Sequence, residues 1–85
     1  MNKELLEKLM IKLVTKPVYK TIDKVLNGRA TPEEELKGMY SLAVHVVIEI
    51  EKGSYEYITL LQEIQGKINA LYAKYTAGAS GAVPA

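Results

Sequence analysis

Between Leu5 and Gly28 the chain repeats every four residues: LLEK LMIK LVTK PVYK TIDK VLNG. Lysine closes five consecutive blocks, at Lys8, Lys12, Lys16, Lys20 and Lys24, and an apolar residue holds the second place in all six. An α-helix turns about 100° per residue, so a row of step four drifts by about 40° each time. From Lys8 to Lys24 the drift reaches roughly 160°, and no straight helix keeps such a row on one face.

The apolar residues diverge in the same way. Leu5, Leu6, Leu9, Met10 and Leu13 gather on one side of a helix, while Val18, Ile22, Val25 and Leu26 gather on a side turned well away from it. Pro17 stands between the two groups. Its ring removes a backbone donor and clashes with the carbonyl four residues back, which kinks or breaks a helix. Lys16, as the residue before proline, is biased away from helix. The segment is therefore expected to form two amphipathic pieces with different neighbours. The second, residues 18–26, is expected to pack on the rest of the chain. The first, residues 3–15, is expected to pack on another subunit.

Further along, Thr31-Pro32-Glu33-Glu34 is a strong helix start. Thr31 suits the N-cap, Pro32 the first helical position, and Glu34 completes a capping box. Glu33, Glu34 and Glu35 also oppose the positive end of the helix dipole, which explains the acidic triplet without a metal. Asn27-Gly28 and Lys52-Gly53 supply helix stops, and Ser54 is placed to cap a third helix. Apolar residues then recur in heptad steps through Leu36, Tyr40, Ala43, Val47 and Ile50, and again through Tyr57, Leu61, Ile64, Ile68, Leu71 and Tyr75. Such seams suit helices packed at shallow angles. A β-hairpin over residues 43–60 competes, because VVIEIEKGSYEYI alternates around a turn. One unbroken helix through Gly53 competes too, at a cost of about 1 kcal/mol for the glycine. The capping box and the long heptad favour two antiparallel helices, with Tyr40 set over Gly66.

The expected fold class is all-α: a small three-helix bundle with a first helix kinked or broken at Pro17 and an antiparallel helical hairpin. Helices are expected over about 3–26, 32–52 and 54–76 of a single domain, 1–76. Residues 77–85 lie in TAGASGAVPA, whose small uncharged residues read as a flexible C-terminal arm.

Composition bounds what such a bundle can be. A core built from so short a chain hides only roughly 60% of its unfolded surface, so extra burial is wanted. Cysteine is absent and there is one histidine, so neither disulfides nor a zinc staple are expected to supply it. Self-association is the remaining route. The abundance of Lys, Glu, Ile, Leu and Tyr is compatible with a thermophilic source. No apolar run is long enough to span a bilayer and no secretory signal is visible, so a cytoplasmic or virion location is expected.

The net charge of +1 conceals a division: residues 1–29 sum to +4, residues 30–52 to −3 and the remainder to zero. The lysine row suits phosphate neutralisation. Arginine is nearly absent and only Tyr19 interleaves the row, whereas base recognition leans on arginine and stacking. Lysines flanking an amphipathic helix also cover apolar surface with their stems. A membrane-surface role for residues 1–16 is disfavoured by the lack of aromatics there. His45 reads as a half-buried histidine with a hydrogen-bond partner, and Glu49, one turn on, as a surface mate for it. No nucleophile, P-loop or metalloprotease pattern accompanies it.

The expected function is a non-enzymatic helical assembly protein, a viral or cellular structural component or adaptor. It is expected to self-associate through Leu5, Leu6, Leu9, Met10 and Leu13 and through Tyr57, Tyr72 and Tyr75. The alternative is a small non-specific nucleic-acid-binding protein that uses Lys8, Lys12, Lys16, Lys20 and Lys24. No cofactor, metal or small-molecule substrate is expected.

Overall fold

Four helices make up the computed structural model, which describes residues 1–78: α1 (Lys3–Leu13), α2 (Val18–Leu26), α3 (Pro32–Glu51) and α4 (Tyr57–Gly78). The protein is all-α, and among the described residues there is no strand. The β-hairpin alternative for residues 43–60 is thereby overturned. The expected arm at 77–85 lies, from residue 79 onward, outside the described residues.

The first segment, expected to be kinked or broken at Pro17, is two separate helices, and the backbone shows why. Pro17 has no N–H to give to the Leu13 carbonyl four residues back. The Lys16 N–H takes that carbonyl instead at 2.8 Å, one residue too early for an α-helix, and α1 stops. Pro17 itself keeps helical dihedrals and opens α2, the position in a helix where a missing donor does no harm. At the other end of α1, the Asn2 side chain accepts the Leu5 N–H.

α2 ends at Asn27-Gly28. Gly28 adopts φ +69°, the Arg29 N–H reaches the Lys24 carbonyl, and the Gly28 N–H reaches that of Val25. This is a Schellman closure, which needs a left-handed residue just past the helix. α3 ends the same way: Gly53 sits at φ +102°, with the Ser54 N–H on Glu49 and the Gly53 N–H on Ile50. The chain then reverses, and α4 begins at Tyr57 rather than at Ser54. The capping box at Thr31 forms in full: its hydroxyl accepts the Glu34 N–H, and the Glu34 carboxylate accepts the Thr31 N–H.

The core lies between α3, which packs along α4 and against α2, and α1, which lies on α2 and α4. Leu9, Ile22, Leu42, Val46, Leu60 and Ile64 are essentially inaccessible, and Leu5, Leu13, Met39, Tyr57 and Ile68 surround them. On α3 the fully buried line is Met39, Leu42, Val46, one position off the expected seam. Leu36, Ala43 and Ile50 are half-buried beside it, and Tyr40 and Val47 face outward. On α4 the buried line is Tyr57, Leu60, Ile64, Ile68; Leu61 and Leu71 are half-buried and Tyr75 is exposed.

The glycine placement also differs from expectation. Gly66 is exposed, and a Cβ there would meet nothing within 4 Å, so Tyr40 does not pack over it. Gly38 is the tight position. A Cβ on Gly38 would stand 2.5 Å from Cγ2 of Val25, so it is the absence of a side chain that lets α2 lie against α3.

Candidate functional site

The residues assigned to association from the sequence fall into three places. Leu5, Leu9 and Leu13 are buried in the chain's own core, as is Tyr57. Leu6 and Met10 are half-buried along a groove between α1 and α2, bordered by Ile11, Val14, Tyr19 and Leu26. Tyr72 and Tyr75 are exposed on the distal part of α4. The expectation that α1 leaves the bundle for another subunit is therefore corrected. The break at residues 14–17 frees α1 to turn back on α2 and α4, and its leucine row is spent on folding.

The lysine row is likewise not a free stripe. Lys12 pairs with Glu49 of α3, and Lys24 pairs with Glu34 at 3.1 Å. Lys8, Lys16 and Lys20 are exposed and have no ion-pair partner among the described residues. Glu34 thus serves both the capping box and the α2–α3 contact. Its carboxyl is held below the usual range by the Thr31 N–H first and by Lys24 next.

Glu49 is the one buried charged residue among those described, and it was not expected to be inside. Stepping by four and three from Leu42 through Val46 lands on position 49, so Glu49 occupies the core line of α3. It lies shallowly, beneath the side chains of Lys12 and Lys52; the Lys52 ammonium is 3.6 Å from its second oxygen. The hydrogen bond from Lys12 holds its carboxyl below the ordinary value, against a smaller opposing effect of desolvation. The same bond raises Lys12. Tyr57 shares this field; burial pushes its phenol up, opposed by Lys12. No buried side-chain nitrogen or oxygen among the described residues lacks a hydrogen-bond partner. A carboxylate this well satisfied is a tie between helices rather than a reactive group. His45 does not pair with it. The His45 Nδ1–H donates to the Ser41 carbonyl at 2.8 Å, within α3, and the ring is half-buried.

A second apolar surface, besides the α1–α2 groove, is the outer face of α3. Tyr40 is 48% exposed, Val44 56%, Val47 37% and Ile48 41%. They occupy adjacent turns of one face and border a groove whose far wall is Leu61, Gln65, Ile68 and Asn69 of α4. Scattered apolar residues on a surface are ordinary, but a contiguous patch marks a contact. Sequence reasoning placed Tyr40 and Val47 inside and left Val44 and Ile48 without a role. LAVHVVIEI has apolar residues at nearly every helical angle, so its pattern identifies no single inner face.

Among the described residues no group of His, Cys, Asp and Glu is placed to hold a metal ion. No helix there is long and apolar enough to cross a membrane. Comparison with protein-family models, with curated proteins and with solved structures finds no match for this chain.

Proposed function

We propose that this chain is a non-enzymatic helical assembly protein whose outer α3–α4 face binds a second copy of itself. The observation that carries the reading is the two-sidedness of α3. A helix with apolar residues on two faces has a second face that favours cover. Here the chain covers Met39, Leu42 and Val46 and leaves Tyr40, Val44, Val47 and Ile48 to water. The small core adds a motive, because association supplies burial that so short a chain cannot supply alone. The polar residues on the α4 wall, Gln65 and Asn69, are neutral. Among the described residues, Glu51 at the end of α3 is the one charged residue lining the groove, so the apolar centre of the face can meet an identical face without burying a charge.

Light scattering across a dilution series tests this. The expected result is a mass that falls from dimer or higher toward monomer on dilution. The double variant V44E/V47E is expected to be monomeric throughout with an unchanged helical circular dichroism spectrum. A wild-type chain that stays monomeric at its highest soluble concentration overturns the reading.

A further inference from the structure

The outer face of α3 carries Lys37 toward one end and Glu51 at the other, each seven residues from Val44, with Glu33 a further turn beyond Lys37. Seven residues are close to two full turns, so Lys37, Val44 and Glu51 lie within about 20° of one line along the helix. Tyr40 and Ile48 flank Val44 at four residues on either side. Tyr40 and Ile48 are thus matched in position about Val44, and Lys37 and Glu51 are matched in position and opposite in charge. Neither Lys37 nor Glu51 has an ion-pair partner among the described residues, and both side chains are exposed.

We infer that α3 pairs antiparallel with α3 of a second copy about a two-fold axis at Val44, so that Lys37 of each chain meets Glu51 of the other and Tyr40 packs beside Ile48. This rests on the self-association reading above and specifies its geometry. An isologous contact demands that every residue left or right of the axis find its complement in the same sequence run backwards. A parallel pairing in register would place Lys37 against Lys37 and Glu51 against Glu51, like against like at both ends. The antiparallel pairing gives two opposite-charge pairs at the rim and Val44 on Val44 at the centre. The contact from Lys37 to Glu51 spans about 21 Å of helix.

The absence of native cysteine makes the axis directly testable. Packed helices lie about 8–10 Å apart with Cα atoms about 2.3 Å from each axis, which brings facing Cα atoms within disulfide range. Under mild oxidation V44C is expected to convert to covalent dimer, while I11C, at an exposed position of α1, remains monomeric on a denaturing gel. K37E and E51K are each expected to weaken the dimer about tenfold, since each change turns two rim attractions into two repulsions. The exchange K37E/E51K is expected to return the affinity to the wild-type range. A wild-type dimer in which V44C fails to cross-link, or in which the exchange variant is no tighter than the single ones, overturns this register and leaves self-association standing. A monomeric wild type overturns both.

Discussion

The two faces of α3 are made of the same kind of residue and meet opposite fates. Met39, Leu42 and Val46 are sealed by α1, α2 and α4, whereas Val44 and Ile48, one turn or less away, stay in water. Hydrophobicity alone therefore does not decide what is core in a small bundle. The deciding factor is which helices are available to lie on top. α1 and α2 approach from one side only, and Gly38 tells which side, because α2 can come close only where α3 has no side chain.

The sharpest way to break that contrast is a pair of truncations. Leu42→Ala is expected to cost about 2–5 kcal/mol, as for other buried leucines. Val44→Ala in dilute solution is expected to stay within about 0.5 kcal/mol. Urea denaturation at low protein concentration measures both, and comparable losses would refute the division into two faces. A second contrast sets the two mid-helix glycines against each other. Gly38→Ala forces a contact with Val25 that overpacks the α2–α3 interface by about 1–3 kcal/mol. A gain of about 1 kcal/mol in helix propensity offsets part of this. The net expectation is destabilisation, relieved in part by adding Val25→Ala. Gly66→Ala meets open space and is expected to stabilise by up to about 1 kcal/mol. Thermal melts of the three variants rank them, and a Gly38→Ala protein that melts above wild type would remove Gly38 as the marker of the covered side.

The smallest expected effect concerns the charged end of the inner face. The Glu49 carboxyl is held below its ordinary value in the folded chain. Its stabilising contribution is thus fully present above the unfolded value of about 4.3 and is lost as pH falls through the folded one. Stability is expected to decline on acidification in that window, and E49Q is expected to lose part of the decline. Parallel acid curves for wild type and E49Q would show that Glu49 contributes nothing to it.

Much of this was legible in residues with local jobs. Thr31, Pro32 and Glu34 announce a helix start because a cap is a matter of a few neighbouring atoms. Gly28 and Gly53 announce stops because only glycine enters the left-handed region freely. The all-α class follows from those signals. The break at residues 14–17 is local too, since Pro17 withholds a single hydrogen bond. What was not legible is relational. The phase of α3 depends on where α1 lands, and α1 lands where a four-residue link lets it. Glu49 was taken for surface because a lone carboxylate is normally exposed. Nothing in VVIEIEK shows that Lys12, far away in sequence, arrives to cover it. The same link turned the leucines of α1 from a face for others into a face for the chain itself.

That link has a mechanical consequence. On α1 the buried residues are Leu5, Leu9 and Leu13, and the lysine that meets Glu49 has a twin one turn back, at Lys8. A slide of α1 by four residues, about 6 Å with a rotation of about 40°, would set Leu5 in the seat of Leu9, Leu9 in the seat of Leu13 and Lys8 beside Glu49. Side chains that repeat every four residues are like the teeth of a rack, each nearly interchangeable with the next. Leucine and lysine supply the grip but do not choose the notch. The pawl is the short run from Val14 to Pro17, which is too brief to pay out another turn of chain, and the stop at the far end is Glu63, which accepts the backbone N–H of Asn2. A longer link would free α1 to click between positions.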